Sequence, residues 1–362
     1  MLGTYLLRLA PAVLCFLIAC TTSRALELER DSTWRSAYLF PGLKLVRDRR
    51  YVEAEKYLVA AVQSAKAEGL PAETYELSLS YLADLYLDLG KYRAAESLLK
   101  ELIERKKQAK QGTSVMDRYI EKLATLNRSL GQYFEAERLY EEALAMRAHG
   151  LNSCRDSRLS QLLGNVGELY RLMERYDEAE KAIADALEMI EQDPLRGELS
   201  TTTILYSGRL KFAQGKFREA EATSRRALGM ARNIKFIGPN HPRVAEALGD
   251  LAEIYAGQEW NIEAEALHKK AIGIWERAVG LEHPSVGFEL VRLARVYAAQ
   301  DRLGEAEALY RRAISIQEKT FGPEHRFLIA TLEGLASVLQ KLNRGKELAA
   351  VKTRLDAARR AQ

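Results

Sequence analysis

Three cysteines in 362 residues are too few for a disulfide framework, and two of them, Cys15 and Cys20, fall within the first twenty positions. Cys154 is left alone in the body, so no zinc-ligand spacing exists there. Proline is scarce at 8 residues and aromatics are 8% of the chain, which argues against a strand-rich fold and against Pro-rich disorder. Charge of one sign is also lacking. The 54 basic and 50 acidic side chains leave a net charge of only +4 and are interleaved along the whole length. That pattern describes solvated helix faces, and it excludes a nucleic-acid footprint. Phosphate-binding loops, a G-x-S-x-G elbow and a dinucleotide fingerprint are missing. No cofactor and no catalytic residue are therefore expected, and the chain reads as not an enzyme.

The first nineteen residues differ from the rest. Arg8 is followed by eleven uncharged, mostly apolar residues, Leu9 to Ala19, too short a run to span a bilayer comfortably. The length suits the h-region of a secretory signal. It ends Leu17-Ile18-Ala19-Cys20, which resembles the lipobox of bacterial lipoproteins. That resemblance implies a signal peptide over 1–19, lipidation at Cys20, a tether over 20–33, and a lipid-anchored protein of the bacterial cell envelope. Ser23-Arg24-Ala25 offers a rival cleavage site that would release a periplasmic or secreted protein.

What the chain has in abundance is one helix, rewritten. An E-A-E-like triplet places its central residue at Ala54, Ala95, Ala136, Ala179, Ala220, Ala264 and Ala306, with Leu348 in the last copy, at spacings of 41 to 44. An aromatic or Leu usually stands three positions earlier (Tyr51, Tyr92, Tyr133, Tyr176, Phe217, Leu303). A second amphipathic segment precedes each triplet, as in "YLADLYLDLGKY" from Tyr81, with apolar residues at i, i+3, i+4 and i+7. Gly90, Gly131 and Gly215 separate the two segments, where a left-handed C-cap suits glycine. Each unit is helix, turn, helix. Stacking such units buries one continuous core, so each copy needs the same contact residues, and each central alanine should lie where two helices approach closely. The flanking glutamates suit helix starts and can pair with Arg225, Lys269 and Arg311 at i+4.

These units resemble the tetratricopeptide repeat, in the 42-residue variety of kinesin light chains. The loops "GPNHPRVA" at Gly238, "GLEHPSVG" at Gly280 and "GPEHRFLI" at Gly322 carry that variety's signature. The resemblance covers residues 34–362 and implies an all-α, right-handed solenoid of about eight repeats. The first unit is degenerate, with Pro41 and Gly42 in its first helix, and the fifth has Ser207 and Lys211 where Leu and Tyr are usual. His241, His283 and His325 occupy equivalent loop positions, a helix-pair step of about 10 Å apart, which is too far for one metal ion and points to local backbone bonding. His149 and His268 have no cysteine or carboxylate cluster beside them in sequence, and Cys154 falls in an inter-unit loop.

In this family the first helix of each pair lines a concave wall. One wall position reads Phe40, Tyr81, Lys122, Asn165, Tyr206, Asp250, Arg292 and Gly334. Tyr81, Lys122, Asn165, Tyr206, Asp250 and Arg292 are the candidate partner-binding residues, because Tyr and Arg favour interface hot spots. They are expected to face the groove, clear of helix contacts. Asn165 matches the family asparagine that bonds a peptide backbone. Lys122 and Tyr206 do not complete the family's carboxylate clamp. The implied role is a non-catalytic interaction scaffold or adaptor binding a protein or peptide. The alternative is a soluble chaperone of one partner.

Overall fold

The computed structural model describes residues 30–48, 50–109, 115–150, 157–191, 197–233 and 240–361, and all regular structure among them is helical. Cys15, Cys20, Cys154, Gly238 and the side chain of His149 lie outside these residues. The helices alternate as first and second members of pairs. The first members are α1 (residues 30–47, with a π turn over Arg35–Leu39), α3 (Ala72–Asp88), α5 (Met116–Ser129), α7 (Ser157–Leu172), α9 (Gly197–Ala213), α11 (Pro242–Gly257), α13 (Pro284–Ala299) and α15 (Phe327–Lys341). The second members are α2 (Tyr51–Ala67), α4 (Tyr92–Gln108), α6 (Tyr133–Gly150), α8 (Tyr176–Glu191), α10 (Phe217–Asn233), α12 (Asn261–Val279), α14 (Leu303–Phe321) and α16 (Gly345–Arg360). The result is the expected right-handed solenoid of eight helical pairs.

Helix α6 shows why the sequence folds this way. Ala136, Leu139, Tyr140 and Ala143 recur at the helical period and are all buried, while Phe134 and Glu135 on the other face are exposed. All seven repeated alanines are fully buried. Leu348, in the last described unit, is only half-buried.

The turns follow the sequence in part. Gly90, Gly131 and Gly215 have φ of +67°, +72° and +75°. Four other units place Glu174, Glu259, Asp301 and Asn343 in the same left-handed conformation. Pro242 and Pro284 open α11 and α13 at the first turn. In helix α1, Asp31 accepts a hydrogen bond from Thr74 at 2.7 Å and from Arg35 at 2.7 Å. Trp34 then buries its ring and donates its indole N–H to the Ala61 carbonyl at 2.9 Å.

The repeated glutamates do more than expected. The i,i+4 pairs form, as Arg225–Glu221, Lys269–Glu265 and Arg311–Glu307. The second glutamate of the triplet also reaches the next unit. Lys91 bridges to Glu55 at 2.7 Å, Arg175 to Glu137 at 2.6 Å, Arg302 to Glu265 at 2.6 Å and Arg344 to Glu307 at 2.5 Å. Arg175 and Arg302 lie over the Tyr170 and Tyr297 rings at 4.4 and 3.9 Å. The same rung thus recurs at four of the unit junctions.

The superhelix closes upon itself. The turns after α3 and α5 meet the starts of α13 and α15. His283 Nε2 lies 3.0 Å from the Asp88 carbonyl, and His325 Nε2 lies 3.0 Å from the Leu130 carbonyl. Both pairs span 195 residues. Arg326 donates to the Gly131 carbonyl at 2.9 Å and covers the Tyr133 ring at 4.7 Å. Tyr92 stacks on Phe321 with centroids 6.0 Å apart. The repeated histidines do bond local backbone. The Nδ1 atoms of His241, His283 and His325 accept from the N–H groups of Arg243, Ser285 and Phe327. At His283 and His325 the other ring nitrogen makes the inter-turn contact, which the sequence did not suggest.

Candidate functional site

Closure turns part of the concave groove into a central cavity of about 400 Å³. One side is the wall of first helices, contributing Arg128, Glu168, Arg171, Arg209, Asp250, Glu253 and Arg292. The other side is the seam, contributing Tyr92, Tyr133, Phe288 and Phe327. Phe288 meets Phe327 edge-on at 5.3 Å. A cavity of this size with an aromatic side and a few convergent charges has the make-up of a small-ligand site.

The six wall residues expected from sequence do fall on this surface, but not clear of contacts. Asn165, Tyr206 and Asp250 are buried, and Tyr81, Lys122 and Arg292 are half-buried. The reason is that successive first helices are stitched together one repeat apart. Asn165 Nδ2 donates to Glu121 at 3.3 Å, and the Tyr206 hydroxyl donates to Asn165 Oδ1 at 3.3 Å. Lys122 pairs with Asp84 at 2.5 Å. Arg209 binds Asp250 at 2.7 Å, Glu246 at 3.3 Å and Glu168 at 3.4 Å. Arg292 lies 3.3 Å from Glu289 and 3.8 Å from Asp250. The wall is an ion-pair lattice before it is a binding surface. Phe40 is exposed, and Gly334 sits under the Tyr310 ring, where a Cβ would come within 2.5 Å.

Residues missed from sequence complete the lattice. Asp84, Glu168, Arg209, Glu253 and Arg295 stand three positions after the chosen wall column, one helical turn along, so the same period could have found them. Arg295 pairs with Glu253 at 2.5 Å. The electrostatics differ between sites. Burial pushes the Glu168 carboxyl up, but Arg171, Arg209 and Arg128 outweigh it and hold it below the usual carboxylate range. Burial is likewise outweighed at Glu246 by Arg243 and Arg209, which bring it to about 2. At Asp250 burial wins over Arg209 and Arg292, so its pKa is raised.

His268 needs a correction. It has no carboxylate cluster beside it in sequence, yet in the fold its Nδ1 lies 2.6 Å from Glu289 and its Nε2 lies 3.7 Å from Glu253. Those glutamates come from α13 and α11, so only the packing brings them together. No group of three or more His, Cys, Asp or Glu positioned for a metal ion exists among the described residues. No helix among the described residues is long and apolar enough to cross a membrane.

Comparison with known proteins agrees with the fold. Family models for the tetratricopeptide repeat match residues 117–192, 158–233, 198–277 and 289–357, and a second such model matches 77–109. A Rap protein crystallised in complex with Competence and Sporulation Factor aligns over 92% of this chain and 98% of its own, at 14% identity and a TM-score of 0.59. A putative kinesin light chain from Podosopora anserina with nearly identical TPR-like repeats covers 56% of this chain and 95% of its own, at 22% identity and a TM-score of 0.45. BtubC (BKLC) from P. vanneervenii covers 65% and 91%, at 22% identity and a TM-score of 0.45. No curated protein matches this chain.

Proposed function

The chain belongs to the tetratricopeptide repeat family, and on that premise we propose that it is a non-catalytic interaction scaffold whose concave wall receives a segment of a protein partner. The observation that carries this reading is the cavity itself, where charged groups of successive repeats converge opposite an aromatic seam. Fold alone does not assign a function, so the weight rests on those side chains. The Rap structure, of the same fold, was solved in complex with Competence and Sporulation Factor, which is in keeping with a binding role. Lys122 and Arg292 are the wall residues best placed for contact, because they remain half-exposed while already charged.

We further propose that the protein is exported and anchored in the bacterial envelope through acylated Cys20. The support is the Leu17-Ile18-Ala19-Cys20 sequence after a short apolar run. Two or three acyl chains hold a protein stably, whereas one holds only marginally. The second reading, a soluble periplasmic or secreted chaperone, is favoured by Ser23-Arg24-Ala25. Labelling with a clickable fatty acid separates the two. Loss of label in Cys20→Ser supports the anchor, and a mature chain starting at Leu26 overturns it.

The scaffold reading is tested with the native protein as bait in a pull-down from its own membranes. A Lys122→Ala/Arg292→Ala variant with an unchanged circular dichroism spectrum should lose a specific partner band. Retention of every band by that variant removes the concave wall from the function.

A further inference from the structure

The second helices carry the outer surface of the solenoid, and the charge of that surface changes sign midway. In α6 and α8 the fifth and sixth positions after the repeated alanine hold Glu141, Glu142 and Asp185, with Ala184 uncharged. In α10 and α12 the same positions hold Arg225, Arg226, Lys269 and Lys270. Arg225 and Lys269 are tied to Glu221 and Glu265, and Glu142 to Arg138. Asp185, Arg226 and Lys270 are exposed and have no ion-pair partner among the described residues. The two central helices extend the division. Asp177, Glu188 and Glu191 of α8, and Arg218 and Arg232 of α10, are likewise exposed and unpaired among the described residues. A net charge of only +4 thus conceals an acidic half and a basic half on one face.

We propose that this face binds a second copy of the chain, with the acidic α6–α8 surface of each protomer lying on the basic α10–α12 surface of the other. The inference goes beyond the groove reading above and uses none of its residues. Register carries it. A two-fold axis parallel to these helices, running between α8 and α10, lays α8 on the partner's α10 and α6 on the partner's α12. Each residue then meets the equivalent repeat position, the self-complementarity that a two-fold interface requires. Two positions before the alanine, Asp177 meets the partner's Arg218. Six after it, Asp185 meets the partner's Arg226 and Glu142 meets the partner's Lys270. Twelve after it, Glu191 meets the partner's Arg232. Nine after it, Glu188 lies over the partner's Gly229, where nothing in the chain stands within 4 Å of a Cβ position. Glycine weakens a helix interior, so an open gap there suits the close approach of another surface. Lys181, the one cation in α8, faces the partner's Ala222. The like-charged Glu178 and Glu219 are already bound to Arg175 and Lys211. The apolar match follows the same axis. Phe134 and Ile262 are 82% and 79% exposed, more than any other large hydrophobic side chain among the described residues. Both stand two before the alanine, in α6 and α12, so Phe134 is set against the partner's Ile262. Four helices of 16 to 19 residues, about 10 Å apart, make a face of roughly 800 Å², the share each partner gives to a standard interface. A foreign acidic or basic segment satisfies one half of this face, whereas a second copy satisfies both.

The test is sedimentation equilibrium of the full chain, carrying Cys20→Ser so that no lipid contributes. A dimer should form by about 100 µM protein, and its dissociation constant should rise at least about tenfold in about 1 M sodium chloride, where charges are screened. Asp185→Arg and Arg226→Asp should each raise the dissociation constant at least about tenfold, since each reversal acts twice across the axis and sets like charges together. Both substitutions in one chain return opposite charges to the interface and should restore the dimer. Both positions are exposed, so circular dichroism should show the wild-type fold in all three variants. A monomer at about 100 µM, a dimer indifferent to salt and to both reversals, or a double variant no tighter than the single ones overturns the proposal. A monomer that instead binds fluorescein-labelled poly-glutamate, and loses it in Arg226→Asp, also overturns it and assigns the basic half to a foreign acidic segment.

Discussion

His283 and Asp88 stand 195 residues apart and share a hydrogen bond of 3.0 Å from the imidazole Nε2 to the backbone carbonyl. The same ring's Nδ1 accepts from the Ser285 N–H, which assigns the proton to Nε2 and leaves the ring neutral. One side chain therefore caps α13 and closes the superhelix. Its counterpart His325 repeats both contacts one unit later, against Leu130 and Phe327.

This arrangement predicts a pH response. Burial pushes the His283 imidazole down to about 4 from an ordinary value of 6.5, against the raising effect of the Asp88 carbonyl. A base with a depressed folded pKa contributes stability that is present above about 6.5 and is lost as pH falls toward about 4. The full effect is about 3 kcal/mol. Urea unfolding of the wild type and of His283→Asn should show a gap in stability that shrinks between pH 7 and pH 4.5. A gap independent of pH would mean that the ring is not neutral in the fold.

The seam also depends on glycine. At Gly90, φ is +67° and a Cβ would sit 2.5 Å from the Pro284 ring, whereas at Gly215 φ is +75° and nothing lies within 4 Å. Gly215→Ala should cost about 1–2 kcal/mol, the conformational term alone. Gly90→Ala should cost clearly more, because Pro284 is rigid and must retreat with its helix. Thermal melts of the two variants measure the difference. Equal losses would show that the closure contributes nothing to stability.

How much of this was legible in the sequence follows from distance along the chain. The alanine register was legible, since a 41–44-residue period forces the same contact in each unit, and Ala54 through Ala306 are all fully buried. The Gly90 and Gly131 caps were legible because a cap is a local event. The seam was not, because His283 and Asp88 belong to different repeat phases and no periodic signal links them. The wall column was half legible. Its residues line the concave surface, but that Tyr206 and Asp250 are tied into Asn165 and Arg209 depends on the pitch of the stack. Arg128 escaped notice because it lies outside the column chosen, six positions after Lys122.

The register itself predicts an asymmetry in α6. Ala136 has no exposed surface, while Glu135 beside it bonds only Arg138 on the solvent side. Ala136→Leu should cost about 1–3 kcal/mol by overpacking. Glu135→Leu should cost no more than about 1 kcal/mol, the worth of an exposed ion pair. Comparable losses in melting temperature would mean that the helix is rotated from the orientation described.

Four turns hold a side chain where glycine would be easier. Glu174 adopts φ of +61° and Asn343 adopts +58°. Asparagine tolerates the left-handed region and glutamate does not. Glu174→Gly should therefore stabilise the protein by up to about 1 kcal/mol, with Asn343→Gly near neutral. Differential scanning calorimetry on both variants distinguishes them, and a destabilised Glu174→Gly would contradict the assigned turn.

The last expectation concerns the lattice of the wall. Arg209 holds Asp250, Glu246 and Glu168 at 2.7, 3.3 and 3.4 Å, so truncating it takes a partner from three carboxylates at once, of which Asp250 and Glu168 are buried. Asp250, already raised in pKa by burial, loses its shortest ion pair. Arg209→Met should cost about 3–5 kcal/mol, the usual result of breaking a buried pair from one side. Asp250→Leu alone should also destabilise, because Arg209 and Arg292 both lose a partner. The double variant should be markedly more stable than the sum of the two losses allows, since it removes the charge left without its counterpart. Urea titrations of the four proteins in this cycle give the coupling energy, and a value of at least about 1 kcal/mol is expected for residues in direct contact. Simple additivity would mean that the wall residues act independently.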